Sequence, residues 1–272
     1  MTTYSLGHSS KEQERLQAQA QHMRGITESL WRAAGVTASM QVIDVGCGVG
    51  DTTFLAAEMV GPTGSVIGMD RSSEALSTAR RRAESAGIEN VRFVEGDLHA
   101  PPADLQASFD AVVGRLILVH QPDIVLALRG LQRLSRPGGL LAFHEGEFQM
   151  EFSGDPTSKL AATVIAWLRD ACRLAGIQPN AVSQMPRYFY EAGLGWPNTR
   201  LHTLVSSGAD SFGPGYLTRT LASLIPVLER AGVVDSAEVD LGTLEARLGA
   251  SCANGAVSCA LVNGGSWAHV SA

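Results

Sequence analysis

Apolar positions recur along this chain in two rhythms. From Lys11 to about Ala34 they fall at Leu16, Ala20, Met23, Thr27, Leu30, Trp31 and Ala34. Spacings of three and four predict an amphipathic helix that Gly35 ends. Short β-branched or apolar runs then appear at 42–45, 66–69, 91–94, 109–113 and 140–143. Each is followed by a helical pattern or a Gly/Pro break, so strands alternate with helices. Helices are expected from about Asp51, from a cap at Ser72 or Ser73 to an end at Gly87, and from Asp123 to Leu134. Such alternation predicts an α/β fold with a mostly parallel sheet.

The second half is richer in helices. One is expected from Asp155-Pro156-Thr157 to about Ala175, one over 181–192, one over 217–231 with a kink at Pro226, and a short one over 241–248. Phe212-Gly213-Pro214-Gly215 reads as a turn. Residues 199–206 and 256–262 read as strands six and seven. With 272 residues, no internal repeat and no free linker, the chain reads as one domain. Its parts are an N-terminal helical cap (1–38), a ligand-binding half (39–150) and a half of added helices and final strands (151–272).

Composition narrows the function. Hydrophobic residues are 45% of the chain, enough for an extensive core, and the net charge is −6. An acidic balance disfavours a nucleic-acid partner, which needs a basic face. Arg80-Arg81-Arg82 is the one basic run, and a solvated helix face accounts for it. The four cysteines show no CxxC pair and no metal-ligand spacing, so they are expected reduced, and no metal is expected. With no signal peptide and no span-length apolar run, the expectation is a cytoplasmic protein without membrane contact.

The chemistry concentrates in Gln41-Val42-Ile43-Asp44-Val45-Gly46-Cys47-Gly48-Val49-Gly50. A buried strand runs into a glycine turn and then a helix, the crevice where nucleotide-like ligands sit in open α/β sheets. A pyrophosphate is disfavoured there. Asp44 would repel it, and the spacing is GxGxG rather than GxGxxG. A carboxylate at that point suits a cationic amino-acid end, such as that of S-adenosylmethionine (SAM). Asp70 ends the second strand twenty residues past Gly50, with Arg71 beside it, and suits a pair of ribose hydroxyls. Asp97 follows the third strand, placed to accept an adenine amino group. Leu98 would pack on the ring or donate its backbone N–H.

These stretches, VIDVGCGVG (42–50), Asp70, GDL (96–98), FDAVVGR (109–115) and RPGGLL (136–141), stand in the order seen in class I SAM-dependent methyltransferases, which the chain resembles. The resemblance implies a Rossmann-like, seven-stranded, mostly parallel sheet with helices on both faces, an N-terminal helix and inserted lid helices. It implies SAM as cofactor, held by Asp44, Gly46, Cys47, Gly48, Gly50, Asp70, Arg71, Asp97, Leu98 and Arg115. The opening Tyr4-Ser5-Leu6-Gly7, with Glu14 to Ala20, is similar to that of bacterial methyltransferases of small molecules, many in natural-product pathways. By that likeness Tyr4 and Gln19 approach the cofactor's methionine end or the acceptor.

The acceptor side is less determined. Methyl transfer from a sulfonium needs distance, angle and desolvation, and a base only for some acceptors. His120, after strand four, and His144 and Glu145, at the end of strand five, are the catalytic candidates, with Glu147 behind them. Alternation puts His144 and Glu145 on opposite faces, so at most one enters the pocket. Trp167, Phe148, Phe152, Tyr188 and Tyr190 are candidate acceptor-pocket residues. Strand four lacks the Asn/Asp-Pro-Pro-Tyr/Phe run of methyltransferases acting on amino groups of bases and glutamine. The expected function is therefore methylation of a small molecule in secondary metabolism, with a homodimer through the N-terminal stripe as one use of that helix. Non-methylating use of bound SAM, such as cyclisation, leaves the same motifs and is the alternative. A NAD oxidoreductase is disfavoured by Asp44 and the glycine spacing.

Overall fold

The structure is a computed structural model. It describes residues 10–147, 158–235, 239–253 and 256–271, with the side chains of 10–21 and 258–261 excepted. Its elements are α1 (Ser10–Ala34), β1 (Gln41–Val45), α2 (Asp51–Val60), β2 (Ser65–Asp70), α3 (Ser73–Ala86), β3 (Val91–Glu95), β4 (Phe109–Arg115), α4 (Ile124–Gln132), β5 (Ser135–Glu147), α5 (Lys159–Leu174), α6 (Ala181–Glu191), β6 (Asn198–Ser207), α7 (Phe212–Arg230), α8 (Leu241–Ser251) and β7 (Val257–His269). Packing divides them into two compact units. One takes Ala20–Glu145, Ala181–Leu201 and Gly264–Ala272; the other takes Met1–Gln19, Gly146–Asn180 and His202–Asn263.

The strands form a seven-stranded sheet in the order β3-β2-β1-β4-β5-β7-β6; β1 to β4 and the parts of β5, β6 and β7 described next fall in the first unit. β1 pairs in parallel with β2 and β4, β2 with β3, and β4 with β5. β7 runs the other way. Val270, just past its end, exchanges backbone hydrogen bonds with Gly138 and Gly139 near the start of β5. Thr199 of β6 bonds Ser266 of β7, and Leu201 lies against Gly264, so that pair is antiparallel too. The sheet is therefore mixed, with β7, between β5 and the edge strand β6, as its antiparallel strand. Consecutive residues Val42 to Val45 and Ala111 to Gly114 are buried, which requires cover on both faces. One core cluster joins Ile43, Val112, Leu128, Leu141, Phe143 and Phe189, with Leu98 among them.

α1 lies against β5 and β7. Its stripe Met23, Ile26, Thr27, Leu30, Trp31 and Ala34 is buried within the chain. That stripe is consequently not available as a face for a second copy. Several boundaries differ from the sequence expectation. β7 continues to His269 rather than ending at Val262, because Asn263-Gly264-Gly265 is strand and not turn. A Cβ on Gly264 would meet Val182 of α6, and one on Gly265 would lie 2.7 Å from Leu30 of α1. These glycines serve close approach rather than a bend. β5 starts at Ser135, ahead of the glycines expected to precede it.

In the second unit α7 packs on α5 and α8. α7 starts at Phe212, so Phe212-Gly213-Pro214-Gly215 is helix rather than turn. Pro214 falls in the first turn, where backbone N–H groups have no intrahelical partner to lose. Ser158 caps α5 by accepting from the Ala161 N–H at 3.0 Å. The expected start of that helix at residues 155–157 lies outside the described residues. No described helix is long and apolar enough to cross a membrane.

The turn after β1 depends on backbone that only glycine adopts freely. Gly46 has φ +70°, and a Cβ there would run into the Ile117 side chain. Gly46→Ala should destabilise the fold by about 1–3 kcal/mol, through left-handed backbone and displacement of Ile117. Urea unfolding of the two proteins measures this; equal midpoints and slopes would show that the turn relaxes without cost.

Candidate functional site

Asp44 sits at the end of β1 with no exposed surface. Its Oδ2 accepts from the hydroxyls of Thr52 and Thr53, each at 2.7 Å. Both threonines lie in the first turn of α2, whose N-terminal end carries positive potential. Oδ1 has no hydrogen-bond partner among the described residues. Burial pushes the carboxyl up to about 6 from an ordinary 3.8. The two hydroxyls and the charge of Arg115 pull it down, while Asp70 adds to the rise.

The glycine turn is held from several sides. Gly46 and Cys47 donate backbone N–H groups to the Met69 carbonyl at 2.7 and 3.1 Å. Gly48 donates to Asp70 Oδ2 at 2.9 Å, and Ser72 donates to Oδ1 at the same distance. Asp70 thus joins the end of β2 to the middle of the turn. A Cβ on Gly48 would meet nothing within 4 Å, so the turn faces open space there. Arg82 of α3 donates to the Val49 carbonyl at 2.6 Å, pairs with Asp51 at 2.7 Å and lies over the Phe54 ring. The three arginines expected on a solvated helix face find separate partners. Arg80 reaches the Phe93 carbonyl, and Arg81 bonds Ser77 and Thr78 on its own helix.

The remaining expected cofactor residues fall as follows. Cys47 is buried, and burial with the charges of Asp44 and Asp70 pushes its thiol well above the ordinary range. Arg71 is exposed. Asp97 accepts the backbone N–H of His99 at 2.9 Å, which closes a tight loop. Leu98 turns its side chain into the core, so what it offers a ligand is backbone. Arg115 is mostly buried at the end of β4, where burial lowers its proton affinity and Asp51 and Asp44 restore part of it. Its described hydrogen bond goes to Thr27 at 3.5 Å. Tyr4 lies outside the described residues, and Gln19 falls in α1 with its side chain outside them.

The end of β5 divides by face. His144 has no exposed surface, and its Nδ1 lies 2.9 Å from Thr27 Oγ1. Thr27 also donates to the Met23 carbonyl at 3.0 Å, so the hydroxyl bridges its own helix and the His144 ring. Glu145 points to the other side. Oε1 accepts from Ile117 and Leu118 N–H at 3.1 and 2.9 Å, and Oε2 from Val119 N–H at 3.3 Å. Burial pushes this carboxyl up to about 7, against those three amides. A carboxylate so engaged shapes the loop after β4 and is poorly placed to take a substrate proton. His120, half-buried, ends that loop. Among the aromatics, Tyr190 is 56% exposed and stacks on Trp196, while Tyr188 packs on the core cluster. Trp167 is half-buried in α5, Glu147 is buried, and Phe148 and Phe152 lie outside the described residues.

Sequence reasoning missed Thr52, Thr53, Thr27 and Arg82. The paired threonines had a local signal, since first-turn hydroxyls of α2 lie opposite the end of β1. Arg82 had none, because its partners are more than thirty residues away. No group of three or more metal-binding side chains occurs among the described residues.

The raised Asp44 value has a stability consequence with a definite sign. The folded chain holds this proton more tightly than the unfolded one. The favourable contribution is therefore full below about pH 4 and lost as pH rises through about 6. Asp44→Asn should stabilise the ligand-free protein by about 1–3 kcal/mol at pH 8 and flatten its stability between pH 4 and 6. Urea unfolding across that range checks it; a variant less stable than wild type at pH 8 would show that the charge supports the fold.

A family model described as a methyltransferase domain matches residues 37–193. The demethylmenaquinone methyltransferase of Lactococcus lactis is 36% identical over 115 residues, 40% of this chain and 45% of that protein. That of Staphylococcus aureus strain JH9 is 37% identical over 107 residues, 39% of this chain and 43% of the relative. The chain thus spans less than half the length of these curated relatives. The crystal structure of YcgJ from Bacillus subtilis superposes with a TM-score of 0.60 at 18% identity, covering 93% of this chain and 99% of that one. The [4+2]-cyclase SpnF does so with 0.53 at 17%, covering 92% and 82%. The two superpositions bear on fold, and the matched model covers more than half of the residues: the chain belongs to the methyltransferase-domain family, the class I SAM-dependent methyltransferases that its motifs resemble.

Proposed function

We propose that the protein is a SAM-dependent methyltransferase acting on a small-molecule acceptor. One observation carries this reading: a fully buried carboxylate, Asp44, keeps one oxygen without a partner beside a glycine turn that faces open space. An orphaned buried acceptor is costly unless a donor meets it. A ligand ammonium is such a donor, and a pyrophosphate is not. The residues present therefore fit the amino-acid end of SAM. Asp70, already fixed by two backbone amides, retains acceptor capacity for ribose hydroxyls. Asp97 and the Leu98 backbone suit the adenine edge. When bound, SAM supplies a methyl group made electrophilic by its sulfonium. The chain's own part is to fix that donor, exclude water and align an acceptor.

The acceptor side rests on less. The helices α5, α7 and α8, inserted after β5 and after β6, are our candidates for the acceptor lid. His144, its ring oriented by Thr27, and His120 are the proposed acceptor-side groups, and Arg115 the proposed partner of a carboxylate. The curated relatives act on demethylmenaquinone by name, which supports a small molecule as acceptor. The opening of the chain supports secondary metabolism. A cytoplasmic setting is supported by the free thiols of Cys47, Cys172 and Cys252.

Calorimetric titration tests the donor reading. SAM should bind with NAD showing no competition, and Asp70→Ala should weaken SAM at least tenfold. Below pH about 6 binding must displace the Asp44 proton, so affinity should fall towards tenfold per pH unit, with one proton released. Unchanged affinity in Asp70→Ala, or NAD binding at the same site, would sink the reading. Release of S-adenosylhomocysteine with an acceptor separates methyl transfer from cyclisation, in which SAM would be recovered intact.

A further inference from the structure

The loop from Leu116 to Gln121 is fixed by more contacts than a connection between β4 and α4 requires. Leu116 is held at φ +52°, a left-handed conformation unfavourable for a branched side chain. Its N–H donates to the His144 carbonyl at 2.8 Å. The next three amides converge on Glu145, as described above. Gln121, itself buried, donates from Nε2 to the Ile117 carbonyl at 2.8 Å. Its Oε1 lies 3.0 Å from His99 Nε2, which ties the loop after β4 to the loop after β3. The result sets Ile117 against Gly46 and Gly114, where a Cβ on either glycine would collide with it.

We propose that Glu145 is a positioning residue that acts on the donor site through this loop: its carboxylate gathers the three amides and so seats Ile117 over the first glycine of the turn. The inference rests on the donor reading for its functional half, and on hydrogen bonds alone for its structural half. Strain at Leu116 follows naturally. A loop left to itself would relax that residue, and three charge-assisted hydrogen bonds outweigh the cost. Gln121 and His99 extend the hold towards Asp97, so the two loops that meet the adenosyl group move as one. Protonation removes one acceptor position from Glu145, and Val119 is the amide with the longest bond to lose. The titratable neighbours are His144 before it, turned towards Thr27, Glu147 two positions on, and His120 at the loop's end. No ion pair of Glu145 occurs among the described residues, so its hold on the loop depends on its own charge.

Hydrogen exchange and ligand binding together test this in the full chain. In Glu145→Gln the Ile117, Leu118 and Val119 amides should exchange at least tenfold faster at pH 8, with β1 unchanged. Wild-type protection of Val119, corrected for intrinsic exchange, should fall as pH drops through neutrality; in Glu145→Gln it should not vary. Affinity for S-adenosylhomocysteine should weaken about tenfold. Gln121→Leu should weaken it similarly while keeping the pH dependence of exchange, and it carries the test should Glu145→Gln not fold. Unchanged exchange at the three amides would overturn the proposal, as would faster exchange with wild-type affinity. If the wild-type protein bound no S-adenosylhomocysteine, the donor reading would fail, while the exchange arm would still decide what Glu145 holds.

Discussion

A carboxylate with no access to water governs this structure. Asp44 lies near the end of β1, between the buried apolar residues Ile43 and Val45. Desolvation of an isolated charge there is prohibitive, so it must be compensated or neutralised. The chain compensates it in part. Two hydroxyls, the N-terminal end of α2 and the nearby charge of Arg115 all favour the ionised form. They leave one oxygen unmatched and the carboxyl pushed up to about 6. A site completed only by a bound cation is less stable alone than an apolar replacement would be.

The turn that follows has to stay open to a ligand and still hold its shape. Its glycines contribute no side chains, so its rigidity comes from outside. Asp70 receives the Gly48 amide, Met69 receives those of Gly46 and Cys47, and Arg82 takes the Val49 carbonyl. Ile117 fills the space that a Cβ on Gly46 would need. The supports come from three other elements: β2, α3 and the loop after β4. The β1–turn–α2 segment is thus a local motif whose geometry is fixed non-locally, which is why mutations well outside the motif are expected to reach it.

That division also explains what the sequence made legible. Strand and helix order, a cap at Ser72 or Ser73 and the ends at Gly35 and Gly87 follow from periodicity and local backbone chemistry; the structure picks Ser72 of the two serines. The places of Asp44, Asp70 and Asp97 follow too, because the end of a parallel strand is set by the strand itself. The longer reach of β7 did not follow. Gly264 and Gly265 look like a turn unless Val182 and Leu30 are known to press on them. Phe212 to Gly215 looked like a turn because glycine and proline there are tolerated by a first helical turn that needs few amide partners. Arg82, Thr27 and Gln121 act across contacts of widely separated segments, and no periodicity encodes a partner.

Glu145 shows the limit most clearly. As a residue type at the end of β5 it was as good a base as His144, and alternation alone could separate their faces without saying which face held the chemistry. The hydrogen bonds decide the matter for one of them. A carboxylate that receives three consecutive amides stabilises backbone, and taking up a substrate proton would weaken that hold. His144 is constrained differently. Thr27 lies 2.9 Å from its Nδ1 and orients the ring. Two adjacent residues of similar chemical promise are therefore given different work by α1 on one face and the loop after β4 on the other. The sheet thus turns two neighbouring titratable side chains to opposite faces, each held by a different element.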